Sequence, residues 1–143
     1  MNLDYNEEYK SFEKEVQDFC KQYKDISFSD RAKIPFSAKG GRNKNTIKRS
    51  DWQKILIEKG YFARSVPKKY GGYGGETDIL KSRIIASEFS KFKIPTPMGG
   101  QGIDMLVPTL LELGTEQQKE KYIKPTLHGE MIWCQGYSEP NAG

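Results

Sequence analysis

Residues 133–143 read WCQGYSEPNAG, and here the residue types and their spacing suit ligand chemistry best. The last eight residues, GYSEPNAG (136–143), combine small residues that let a backbone approach another molecule with a Glu-Pro pair and a glycine at 143. Ala142 and Gly143 are small enough to let the chain pass close to another molecule. The stretch therefore reads as a ligand-holding loop that works by hydrogen bonding and close backbone approach. It carries no pair of groups for acid–base or nucleophilic work, so no catalytic residue is assigned. Metal chemistry has no donors either: Cys20 and Cys134 are far apart without CxxC or Cys/His spacing, and His128 is the single histidine. The glycine run at Gly71–Gly75 invites a phosphate-loop reading. No Lys-Ser/Thr follows it and no apolar strand precedes it, so a tight surface turn is the better reading.

Composition limits what surrounds this loop. A chain of 143 residues is one domain by length, with 36% hydrophobic and 29% charged residues, well clear of a disordered composition. Unpaired cysteines and the acidic start MNLDYNEE, which is no signal peptide, fit a cytoplasmic protein. No apolar run approaches the roughly 18 residues of a membrane span. The net charge of +4 is uneven: residues 39–69 hold ten Lys/Arg against Asp51 and Glu58. Such a patch can attract nucleic acid or the phosphates of a cofactor. Few aromatics interleave it over 39–50, so a solvated face is the favoured reading and nucleic-acid binding ranks last.

The elements that must position the loop are helical. Tyr5, Tyr9, Phe12, Val16, Phe19 and Tyr23 form one apolar stripe, with Asn6 as N-cap and Glu7 and Glu8 in the first turn. Residues 25–49 show no sustained period and predict the longest loop, with KGGRNKN at its tip. A second helix is expected from Ser50, capped by a Ser50–Gln53 box, buried through Trp52, Ile55 and Leu56, and stopped by Gly60. A third is expected to open at Glu76 or Thr77, to bury Ile79, Leu80, Ile84, Ile85 and Phe89, and to end near Lys93. The fourth, about 102–113, is apolar nearly all round and is expected at the centre of the core, with Leu106, Leu110 and Leu111 buried. Pro108 predicts a kink or a restart inside it. Thr115 and Gln118 predict a capping box for the fifth, whose buried side is Tyr122, Ile123 and Leu127. MIWCQGY (131–137) loses the helical period and predicts a strand.

Three stretches together resemble one family, the flavin-dependent acyl-CoA dehydrogenases. VPKKYGG (66–72) is similar to a turn of that family's N-terminal domain. LGTEQQKEKYIKPTLHGE (113–130) resembles the helix leading to its β-domain, and WCQGYSEPNAG resembles its flavin-binding signature. The resemblance implies an all-α N-terminal helical domain over 1–130 and the first strand of a truncated flavin-binding β-domain over 131–143. It implies FAD as cofactor, contacted by Gln135, Gly136, Tyr137, Ser138, Ala142 and Gly143. It also implies an acyl-CoA substrate oxidised between Cα and Cβ, an electron-transfer flavoprotein as partner, and an oligomeric full-length form. Ser138 stands where a threonine is common, and either hydroxyl can donate. The Ser-Asp that usually follows the last glycine, and the general base of the C-terminal bundle, are not in these residues. Neither Glu88 nor Glu130 replaces that base. The expectation is an inactive part of a flavoenzyme, or alternatively a stand-alone helical interaction module of the same fold.

Overall fold

The computed structural model describes residues 6–29 and 46–136. Tyr137, Ser138, Ala142 and Gly143 lie outside the described residues, as does the KGGRNKN tip. The fold is all-α apart from one two-residue strand pair. The elements are α1 (Glu7–Tyr23), β1 (Ser27–Phe28), β2 (Thr46–Ile47), α2 (Arg49–Glu58), a 3-10 turn (Lys68–Tyr70), α3 (Ile79–Phe92), a π-helical turn (Gly102–Leu106), α4 (Val107–Leu113) and α5 (Glu116–Leu127). β1 and β2 pair in parallel, Ser27 against Thr46. Two compact units result. The first takes the residues up to Trp52 and Glu76–Thr96; the second takes Gln53–Gly75 and the residues from Pro97 onward.

In the first unit α1 packs on α3. Of the stripe on α1, Val16 and Phe19 are buried, Tyr9, Phe12 and Tyr23 are half-buried, and Tyr5 lies outside the described residues; Phe19 stacks on Phe89 at 6.1 Å and on Trp52 at 5.7 Å. The indole of Trp52 donates to the Pro95 carbonyl at 3.0 Å, so this buried N–H is satisfied. Asn6 caps α1 as expected, accepting from the Tyr9 amide at 3.1 Å. The cap of α3 is Asp78, which accepts from the Lys81 amide at 2.9 Å, and neither Glu76 nor Thr77 opens that helix. Aspartate is the stronger cap because its short carboxylate reaches the free amides of the first turn. Lys93 closes α3 in the left-handed region at φ 55°.

The second unit is built around Ile57, Val66, Tyr70, Val107, Leu110, Ile123 and Leu127. The fourth helix is not its centre. Val107 and Leu110 are buried, but Leu106 and Leu111 are only half-buried, Met105 is 49% exposed and Leu113 78%. The reason is length: α4 spans only seven residues and packs on α5 and the preceding π-helical turn, too short an element to carry the core. The core is carried by α5, where Ile123 and Leu127 are fully buried. Pro108 does force a restart. Just before it the backbone widens, with the Val107 amide bonding back to the Gly102 carbonyl, and α4 then begins with proline in its first turn. Thr115 and Gln118 form the reciprocal capping box of α5.

The Ser50–Gln53 box does not form, because α2 starts at Arg49 and Ser50 is already helical. Gln53 is instead fully buried in the second unit, where its amide reaches the Leu127 carbonyl at 3.0 Å and accepts from the Met98 amide at 2.8 Å. The glycine run is a turn, as expected. Gly71 and Gly74 take φ of +88° and +73°, and a Cβ on Gly72 would lie 2.2 Å from the Val66 carbonyl oxygen. The 3-10 turn at its start places Tyr70 inward, leaving no stack of free amides to cradle a phosphate.

Candidate functional site

The segment expected to hold a ligand is described only as far as Gly136, and its described part is an arm, residues 131–136, that follows α5. Gly129 turns the chain at φ +70°, close enough to Met98 that a Cβ there would meet the Met98 methyl at 2.0 Å. Beyond it the arm is irregular and forms no strand through Gly136, because among the described residues it has no neighbouring strand to bond. Its anchor is Trp133. The indole donates to the Thr126 hydroxyl at 2.8 Å, and that hydroxyl in turn donates to the Tyr122 carbonyl at 2.6 Å. The ring meets Tyr122 edge-on at 5.5 Å. It also lies on Gly102, where a Cβ would sit 2.5 Å from the indole Cδ1. Glycine at the first position of the π-helical turn is therefore the seat for the tryptophan.

This anchoring leaves Gln135 and Gly136 exposed at the end of the arm. The Gln135 side chain accepts from the Gln101 amide at 3.0 Å and donates to the Met105 sulfur at 3.2 Å. Nothing lies within 4 Å of where a Cβ on Gly136 would be. The packing of these helices does not require a glycine there, so the missing side chain leaves the backbone amides open to a neighbour. The site thus brings Gln135 and Gly136 together with Gln101 and Met105, which the sequence reading missed. The other four predicted contact residues lie outside the described residues. A signal for the anchor was present in Gly102 ahead of an apolar segment, but its partner lies 31 positions on, beyond any local pattern (102 to 133).

Comparison with known proteins decides the family. Residues 6–130 match the acyl-CoA dehydrogenase N-terminal domain. The chain belongs to the acyl-CoA dehydrogenase family. Acyl-CoA dehydrogenase IpdE1 of Mycolicibacterium smegmatis is 33% identical over 95 residues, covering 66% of this chain and 24% of that one. A short-chain-specific acyl-CoA dehydrogenase of Clostridium acetobutylicum is 43% identical over 77 residues, covering 53% of this chain and 20% of that one. A glutaryl-CoA dehydrogenase of Desulfococcus multivorans is 25% identical over 147 residues, covering 100% of this chain and 34% of the relative. The fold matches a chain of the ChsE4-ChsE5 complex of Mycobacterium tuberculosis, with a TM-score of 0.58 at 22% identity, covering 100% of this chain and 33% of that one. The chain thus spans about a third of the length of these proteins or less.

Among the described residues no group of three or more His, Cys, Asp or Glu could hold a metal. Burial, with the Glu88 charge adding to it, pushes the Cys20 thiol up to about 11, so it stays protonated and inert. Glu88 is buried in the first unit and bonded to Lys91. Glu130 is exposed and paired with Lys54 at 2.9 Å. No helix among the described residues is long and apolar enough to cross a membrane.

Four ionisable groups give the domain a defined acid response. The Tyr70 hydroxyl at 2.6 Å, and then Lys69, hold the Glu116 carboxyl below its ordinary value. The Lys81 amide does the same for Asp78, and the hydrogen bond from Lys54 for Glu130. A depressed carboxyl contributes stability that is present above its unfolded value and lost as pH falls through the folded one. His128 is also lowered, chiefly by burial. Its neutral form is the one favoured on folding, so its contribution is complete above its ordinary 6.5 and lost as pH falls through the folded value. Thermal midpoints against pH should therefore fall in two stages, the first below about 6.5 from His128 and the second below about 4.5 from the carboxylates. His128→Gln should remove the first stage and Tyr70→Phe should shrink the second. A profile unchanged by both variants would refute the assignment.

Proposed function

We propose that residues 1–130 are the N-terminal helical domain, and 131–143 the start of the flavin-binding β-domain, of an FAD-dependent acyl-CoA dehydrogenase. The observation that carries this reading is the arm of residues 131–136: it follows the family-matching segment directly and is pinned by Trp133 so that Gln135 and an unobstructed Gly136 face outward. These residues fit the edge of a flat polar cofactor: one amide side chain that both donates and accepts, beside backbone amides with no side chain in front of them. The chemistry FAD supplies when bound is acceptance, at N5, of a hydride from the β-carbon of an acyl thioester. This chain's share is to orient. Gln135 and Gly136 would hold the cofactor's polar edge, with Tyr137, Ser138, Ala142 and Gly143 continuing the contact. The base that removes the α-proton is assigned to a domain beyond these residues. In this reading the substrate is an acyl-CoA, the electron acceptor is an electron-transfer flavoprotein, and the complete protein is oligomeric.

The test compares two proteins. The 143 residues alone should purify colourless and should not reduce an electron acceptor when given acyl-CoA, since one wall of a site leaves its hydrogen bonds in competition with water. The same residues fused to the β-domain and C-terminal bundle of a family member should purify yellow and bleach anaerobically with a suitable acyl-CoA. Ser138→Ala in the fusion should weaken flavin retention or slow the bleaching. Stoichiometric flavin on the 143 residues alone would overturn the reading. A yellow fusion that no acyl-CoA bleaches would favour a helical interaction module.

A further inference from the structure

A cavity of about 440 Å³ opens in the second unit between the end of α2, the glycine turn and the end of α5. That volume is in the range of small-molecule sites and is larger than a bare inorganic anion needs. Its apolar lining comes from Ile57 and the Tyr73 ring, and its charged lining is one-sided: Lys54, Lys68, Lys124 and His128 against Glu58 alone. One of these cations is already compensated, since Lys54 bonds Glu130 at 2.9 Å. Among the described residues neither Lys68 nor Lys124 enters a salt bridge, and Lys124 acts on Glu130 only at longer range.

The backbone explains why the lysines gather here. Gly71 lies so close to α5 that a Cβ on it would meet the Lys124 Cγ at 2.7 Å, and one on Gly74 would meet the Lys68 Cγ at 2.8 Å. A turn without side chains thus lets both lysine stems lie against its backbone, and a larger residue at either position would push its lysine aside. Two ammonium groups outside any salt bridge, in a lining where cations outnumber Glu58, suit a doubly charged group, and lysine serves phosphate well as a point charge. We propose that this cavity binds an organic phosphate, its dianionic group held by Lys68 and Lys124 and its organic body laid on Ile57 and Tyr73. The proposal does not rest on the flavin reading.

His128 makes the site observable. It is the single histidine of the chain, so it gives one imidazole resonance. Its ring faces the Gly71 carbonyl on the turn, Lys54 on α2, Lys124 on α5 and Glu130 beyond the helix. Bound phosphate would offset the repulsion from Lys54 and Lys124 and raise the histidine's titration midpoint. The experiment titrates the full 143-residue chain with adenosine 5′-monophosphate, inorganic phosphate and sulfate while following the His128 Cε1 proton by NMR. The nucleotide should move the resonance saturably and raise its midpoint, whereas inorganic phosphate and sulfate should bind about tenfold or more weakly, lacking the buried apolar body. Lys68→Gln and Lys124→Gln, both at exposed side chains, should each weaken nucleotide binding about tenfold or more with the remaining spectrum unchanged. Lys10→Gln, at an exposed position on α1, should not. An unmoved His128 resonance would overturn the proposal. Equal affinity for sulfate and nucleotide, or equal losses in all three lysine variants, would overturn it as well by showing general anion screening.

Discussion

Gln53→Leu is expected to destabilise the chain by about 2–6 kcal/mol. Leucine has a similar volume and a better helix propensity, so neither a cavity nor α2 itself accounts for the loss. The loss comes from two orphaned groups. With the amide gone, the Leu127 carbonyl at the end of α5 and the Met98 amide both lose the partner that Gln53 supplied at 3.0 and 2.8 Å. The amide itself has no exposure to water, so water does not readily replace it. Each buried group left unpaired costs about 1–3 kcal/mol, and there are two of them. For comparison, Leu110→Ala removes a side chain that is 9% exposed and has exposed α4 residues around it, so its site relaxes more easily. Urea denaturation should show a lower midpoint for Gln53→Leu at an unchanged slope. A change under about 0.5 kcal/mol would mean that the two hydrogen bonds contribute nothing net.

Gln53 also shows where sequence reading stops. A capping box is a local device: Thr115 and Gln118 sit three positions apart, both partners are visible together, and the box forms. Ser50 and Gln53 have the same spacing, but the partners of Gln53 lie 45 and 74 positions away, and packing outweighs the local option. The helical period was legible for α1 and α5 because each has one apolar face on a core. It misled for α4, because an apolar surface all round says nothing about how much of it another element covers. The same limit holds at the arm. The composition of residues 136–143 suggests a ligand loop, and the structure adds only that Gln135 and Gly136 are exposed. What aims them is a contact among Gly102, Thr126 and Trp133, three positions that no periodicity connects.

That contact carries the second large effect. In the fusion that tests the proposed function, Trp133→Ala should lower flavin retention by one to two orders of magnitude while leaving far-UV circular dichroism unchanged, since the arm contains no helix. The tryptophan contributes a hydrogen bond to Thr126, about 1 kcal/mol net. Its edge-on contact with Tyr122 adds about 0.5–1.5 kcal/mol. Half-burial of the ring against Gly102 adds a comparable amount. A total of about 2–4 kcal/mol sets how often the arm is seated, so alanine would free Gln135 and Gly136 from the helices that aim them. Trp133→Phe keeps a ring without the N–H and should fall between the two. Gly102→Ala reaches the same end from the other side, because its methyl would need the space the indole Cδ1 occupies at 2.5 Å. Fluorescence separates arm release from unfolding: Trp52 stays buried in the first unit, so only the Trp133 part of the emission should shift to the red in Gly102→Ala. If both arm variants retain flavin as tightly as the parent protein, the arm does not orient the cofactor, and the contacts attributed to Gln135 and Gly136 must come from elsewhere in the protein.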